Sequence, residues 1–141
     1  DFMDKNTVLV VDDQHLINVM LKEVLSDSGF DTHIASNHLE AVEIAKSERP
    51  DIAILDVNLP DMDGFELLLI LREINPDIKA IFISGYFDAE YAQRAFAEGV
   101  IRYFIKPFDI FELVTFLVEF SSLDSPSKGE GKWQMDSGKA K

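Results

Sequence analysis

Cysteine is absent from the 141-residue sequence, which removes a disulfide framework and any thiolate metal site. No run approaches the ~20 apolar residues that a membrane-spanning helix requires. The polar start Asp1-Phe2-Met3-Asp4-Lys5 has nothing of a signal peptide, so no membrane insertion and a cytoplasmic setting are the expectations. Positive charge is scarce: 13 Lys and Arg stand against 26 Asp and Glu, a net charge of −13. Residues 124–141 hold four Lys and three acids, which leaves −14 on residues 1–123. A body this acidic repels phosphate backbones, so direct nucleic-acid binding is excluded as a role. A Gly-rich phosphate loop, a dinucleotide fingerprint and a Ser-His-Asp arrangement are also missing. His15, His33 and His38 lack metal-ligand spacing, which assigns them ordinary surface or helix-edge roles.

What the chain does have is a fivefold alternation of short apolar runs and helical stripes, enough for one domain. Strands are expected at about Thr7–Val11, Asp31–Ala35, 52–55, 80–83 and 103–105. The polar alternation of the second suggests a sheet edge, whereas the others are β-branched runs of the kind buried on both faces of a parallel sheet. The first helix carries Leu16, Ile17, Met20, Leu21, Val24 and Leu25, and Gly29 stops it. Asn37 with Glu40 has capping-box spacing for the second, and Asp63 is a candidate N-cap for the third, which carries Leu67, Leu68, Leu71 and Ile74. The fourth follows Asp88 with Ala92, Ala95 and Phe96 inward, and Asp109 with Glu112 opens the last, which ends near Ser121. Residues 125–131 are linker-like, and the remaining tail, which holds the only Trp, Trp133, has too few apolar residues to fold.

Five positions at strand ends carry the chemistry: Asp12-Asp13, Asp56, Ser84 and Lys106. In an open parallel sheet, ligands sit at the carboxyl ends of the strands. Three carboxylates, a hydroxyl and an ammonium would meet there, a site for a hard cation and a phosphoryl group. Mg²⁺ is usually held by one or two carboxylates plus phosphate oxygens, and clustered acids repel unless a cation sits between them. A single such Asp could equally be an N-cap, Ser84-Gly85 a turn and Lys106 a surface residue; it is the clustering that favours a site. A carboxylate can also act as the nucleophile in aspartyl-phosphate chemistry. Asp56, after the most uniformly apolar strand, has the best claim. Lys106 can pair with a phosphoryl group, and Ser84 can donate to its oxygens.

Together, Val10-Val11-Asp12-Asp13, the segment Ile54-Leu55-Asp56-Val57-Asn58-Leu59-Pro60-Asp61-Met62-Asp63-Gly64, Ser84-Gly85 and Lys106-Pro107 resemble the receiver domain of bacterial two-component response regulators. The likeness covers about residues 6–123. It implies a flavodoxin-like, doubly wound α/β fold with five parallel strands in the order 2-1-3-4-5 and helices on both faces. It implies that Asp56 accepts a phosphoryl group from a sensor histidine kinase or phosphotransfer protein, with Mg²⁺ required. Asp13, Asp56 and the Asn58 backbone carbonyl would ligate the metal, with Asp12 acting through water. Ser84 and Lys106 would bind phosphoryl oxygens, and Tyr103 would be the aromatic switch residue; from packing alone it reads equally as a half-buried strand residue. Lys106-Pro107 is expected to be cis.

The expected organisation is a flank at 1–6, a receiver domain at 7–123, and a disordered tail or interdomain linker at 124–141. Such a domain is a phosphoacceptor signalling module, not a turnover enzyme. An aspartyl-phosphate phosphohydrolase would need a second Asp two residues after the nucleophile, where Asn58 stands and cannot serve as an acid. The other alternative is a degenerate receiver that binds protein independently of phosphorylation; intact Asp13, Asp56 and Lys106 count against it. In the last helix, Leu113, Leu117 and Phe120 form one stripe and Phe111, Val114 and Val118 a second, with charge reduced between them. That excess suggests a homodimer or an output domain docking through helix 4, strand 5 and helix 5.

Overall fold

The structure, a computed structural model, describes residues 6–124. The expected flank (except Asn6), the tail beyond Asp124 and Trp133 lie outside the described residues. Five strands, β1 (Thr7–Val11), β2 (Asp31–Ala35), β3 (Ile52–Asp56), β4 (Lys79–Ser84) and β5 (Arg102–Ile105), form one parallel sheet in the order β2-β1-β3-β4-β5. Five helices alternate with them: α1 (His15–Asp27), α2 (His38–Glu48), α3 (Gly64–Ile74), α4 (Ala89–Ala97) and α5 (Ile110–Asp124). This is the flavodoxin-like, doubly wound α/β fold. The chain divides into two compact units after Phe108, the first holding the sheet and α1 to α4, the second α5.

Alternation along the strands sends side chains to two faces. Leu9, Val11, Ala53, Leu55, Ala80 and Phe82 pack with Ala41 and Ala45 of α2, Leu67, Leu68 and Leu71 of α3, and Ala95 of α4. Val8, Val10, Ile54, Ile81 and Ile83 line the opposite face, where α1 buries Leu21 and Leu25. Strands β1 and β3 are buried on both sides, which explains their unbroken apolar character, while β2 and β5 are the partly exposed edges.

Local signals set the helix ends. Asn37 accepts the Glu40 backbone N–H at 2.9 Å, and the Glu40 carboxylate reaches back to the Ser36 N–H at 2.8 Å. Asp63 and Glu66 form a full capping box at α3. Asp88 accepts the N–H groups of Glu90 and Tyr91, and Asp109 that of Phe111. Gly29 takes φ of +99° after α1, a conformation most side chains avoid. The Lys106-Pro107 peptide is cis.

Three expected faces differ from the sequence reading. On α1, Leu21 and Leu25 are buried as expected, but Leu16 and Met20 are exposed and Asn18 joins the buried line. On α4, Phe96 is 51% exposed, and of the three expected residues Ala92 and Ala95 are buried; the large inward side chain of this helix is Tyr91, which packs against the core. On α5, Val114 is buried with Leu113 and Leu117, so the second stripe is reduced to Phe111 and Val118, which are 69% and 41% exposed. A buried Phe and an exposed Phe should therefore respond differently to truncation. Phe82→Ala is expected to cost ~3–5 kcal/mol, and Phe96→Ala to stay within about 0.5 kcal/mol, both measured by urea unfolding.

Candidate functional site

Strand termini bring the predicted residues together. β1 delivers Asp12-Asp13, β3 delivers Asp56, β4 delivers Ser84 and the end of β5 delivers Lys106. Asp12 and Asp56 are buried and Asp13 is exposed. One ligand atom from each of the three carboxylates falls within 4.8 Å of the others. Backbone amides hold two of them: Asp12 Oδ1 accepts the Gln14 N–H at 2.8 Å and Asp56 Oδ1 accepts the Asn58 N–H at 2.9 Å. The outer oxygens face the Lys106 ammonium, 3.0 Å from Asp12 Oδ2 and 3.4 Å from Asp56 Oδ2.

Burial pushes the Asp12 carboxyl above the ordinary carboxylate value; the Gln14 amide and Lys106 pull the other way, and the Asp56 charge adds to the rise. Burial alone would lower Lys106, but its 3.0 Å contact with Asp12 and the charges of Asp56 and Asp12 outweigh it and raise the ammonium. The proton therefore stays on Lys106. Asp12 Oδ2 is buried without a hydrogen bond in good geometry, and the donor set is entirely hard oxygen. Those residues fit an oxygen-seeking divalent cation.

Ser84 is buried, and its hydroxyl lies 2.8 Å from the Tyr86 carbonyl oxygen and 3.3 Å from Asn58 Oδ1, the acceptors it can donate to. Ser84, Asn58 and Tyr103 line a cavity of about 160 Å³ with Asp63, Tyr86, Asp88 and Tyr91. Tyr103 is half-buried, in edge contact with Phe82, Phe87 and Tyr91. The floor is built by close approach: a Cβ on Gly64 would meet the Val57 Cα at 3.1 Å and the Tyr91 hydroxyl at 3.3 Å.

Some supporting residues carry little sequence signal. Gln14 Oε1 accepts from the Lys106 ammonium at 2.6 Å across 92 residues of chain. Asn18 donates to the Asp12 and Ala35 carbonyls at 2.8 and 3.1 Å, tying α1 to two strand ends. The available clue was a polar residue in line with Leu21 and Leu25. Asp61 pairs with His38 Nδ1 at 2.5 Å, which holds its carboxyl below the ordinary value and joins the loop after β3 to the start of α2.

Comparison with known proteins gives the same class as the fold and site. The family model for the response regulator receiver domain matches residues 8–118, and the chain belongs to that family. Among its relatives, sporulation initiation phosphotransferase F of Bacillus subtilis (strain 168) is 38% identical over 111 residues, which are 79% of this chain and 90% of that protein. The regulatory protein AtoC of Escherichia coli (strain K12) is 32% identical over 123 residues, 87% of this chain but only 27% of that protein. The non-phosphorylated HemR receiver domain from Leptospira biflexa superposes with a TM-score of 0.78 at 28% identity, covering 86% of this chain and 98% of that one. The chain is thus a phosphoacceptor signalling domain of a two-component system. Among the described residues, no helix is long and apolar enough to cross a membrane.

The cavity wall has a pH signature. Burial, then the Asp63 charge and the 3.2 Å hydrogen bond to Asp63, raise the Tyr91 hydroxyl above its ordinary value. The folded chain holds that proton more tightly than the unfolded chain, whose Tyr titrates near about 10. The associated stability is complete below that value and is lost as pH rises through the folded one. Urea unfolding between about pH 9 and pH 12 should show stability falling more steeply in the parent than in Tyr91→Phe.

Proposed function

We propose that Asp56 is the phosphoacceptor and that a sensor histidine kinase or phosphotransfer protein is the donor. The observation that carries this is the convergence of three carboxylates and one ammonium at the strand ends, with Asp56 central. An Asp56 carboxylate oxygen forms the new bond to phosphorus as the bond to the donor imidazole nitrogen breaks. The imidazole leaves with that electron pair and takes up a proton. Asp13, Asp56 and the Asn58 carbonyl would hold Mg²⁺, with Asp12 acting through water. When bound, the ion neutralises charge on the transferring phosphoryl oxygens. Lys106 exchanges its contact with Asp56 for a phosphoryl oxygen, and Ser84 turns its hydroxyl from the Tyr86 carbonyl to another. Movement of Ser84 opens room beside Tyr103, which turns inward and passes the change to the surface.

The reaction is the domain's own phosphorylation and dephosphorylation rather than turnover of a free substrate, and a cytoplasmic setting fits a kinase donor. The receiver spans residues 7–123, with a flank at 1–6 and a tail or linker at 124–141. In Mg²⁺, acetyl phosphate should label the parent stoichiometrically and leave Asp56→Asn folded and unlabelled, while Asp13→Ala loses most labelling. Full labelling of Asp56→Asn at another carboxylate would move the acceptor elsewhere.

Output docking uses exposed apolar side chains of α5. Phe111 and Val118 support this, because a helix packed on one face normally turns charge to solvent. The partner is a second copy or an output domain. Sedimentation in the presence of an acyl-phosphate mimic should show self-association that Phe111→Glu/Val118→Glu removes. A parent that remains monomeric limits the partner to an output domain.

A further inference from the structure

We propose that Asp31, His33 and Glu48 form a second metal site, selective for a zinc-class transition ion and separate from the phosphoacceptor cluster. Asp31 and His33 stand two apart on edge strand β2, so their side chains leave the same face. That face is the one against which α2 packs, and Glu48 is the last residue of α2. Arg49 then takes the left-handed conformation at φ of +46° and turns the chain toward Pro50 and β3. Helix end and strand are thereby fixed relative to one another by the fold.

The spacing is that of a coordination sphere. His33 Nε2 lies 3.2 Å from Asp31 Oδ1 and 3.7 Å from Glu48 Oε1, and one ligand atom from each residue falls within 4.8 Å of the others. Bonds of about 2.0–2.1 Å at tetrahedral angles put neighbouring ligand atoms ~3.3 Å apart. The Nε2 atom is out of contact with solvent, yet it has no hydrogen-bond partner among the described residues, since neither carboxylate meets it in hydrogen-bond geometry. A buried polar atom left in that condition is costly. An ion between the three groups would satisfy it. The His33 side chain is 27% exposed and those of Asp31 and Glu48 more so, which leaves room for water at the remaining position.

Ligand chemistry separates the two sites. Imidazole suits Zn²⁺, Ni²⁺ and Cu²⁺, whereas Mg²⁺ takes oxygen donors. The site also lies toward the start of β2, while Asp12, Asp13 and Asp56 lie at or after the strand carboxyl ends. An ion there would tie the end of α2 to the edge strand without entering the phosphoryl chemistry.

The test uses the full chain carrying Asp13→Asn/Asp56→Asn, so that the acidic cluster cannot contribute, with Zn²⁺ alone as the probe in excess Mg²⁺. Calorimetry should give one equivalent bound, and Co²⁺ substitution should give visible bands of a tetrahedral nitrogen and oxygen site. His33→Ala and Glu48→Gln should each weaken Zn²⁺ by about tenfold or more, since losing even an outer partner of a metal ligand can cost that much. His38→Ala should bind as the parent does. Because Glu48 is exposed, its conservative change leaves the fold intact, and the His33 ring signals in the NMR spectrum of the parent report ligation without any variant. Undiminished binding in His33→Ala, unmoved His33 signals at saturation, or no Zn²⁺ uptake by the parent overturns the assignment. The last outcome would leave the cluster a histidine packed between two carboxylates with no role in metal binding.

Discussion

Everything at the phosphoacceptor end depends on holding like charges together. Asp12 and Asp56 are buried and accept backbone N–H bonds, and their outer oxygens face the same Lys106 ammonium. Repulsion among three carboxylates would splay flexible loops apart. Here it cannot, because each acid is anchored to the end of a strand whose preceding residues are buried. Burial along the sheet thus sustains an electrostatic arrangement that is unfavourable by itself and that a positive charge relieves.

Lys106 is the counterweight. It reaches across from the end of β5 to acids on β1 and β3, and Gln14 fixes its direction. Its protonated state follows from those partners, which outweigh the burial that would discharge it. A point charge on a flexible stem suits this position, because it can face acids on two different strands at once. On the β4 side, Ser84 sits between Asn58 and Tyr86, beside a small cavity that Tyr103 also lines. Interior packing resists small continuous shifts, so space of this kind is where a discrete rearrangement can occur.

Histidine and carboxylate pairs recur outside the acceptor cluster. His38 with Asp61 joins α2 to the loop after β3, and His33 with Asp31 and Glu48 joins the other end of α2 to the sheet edge. In an acidic chain, imidazoles are the natural partners for surplus carboxylates. Helix α2 is consequently joined at both ends to neighbouring segments by histidine and carboxylate contacts.

Sequence by itself determined the alternating plan, the caps at Asn37 and Asp63 and the strand-end placement of Asp12, Asp13, Asp56, Ser84 and Lys106. Those features are local: apolar runs, turn residues and side chains that bond to their own backbone. It overestimated the inward faces of α1 and α4, because Leu16, Met20 and Phe96 fit the helical period, and only packing decides how wide a buried stripe is. It also had no means of pairing Gln14 with Lys106, Tyr91 with Asp63, or His33 with Glu48. Each of those contacts joins residues distant in the chain or on different elements. Periodicity states which side of an element faces inward, but the partner it meets there is set by strand order and helix docking, which exist only in the folded chain.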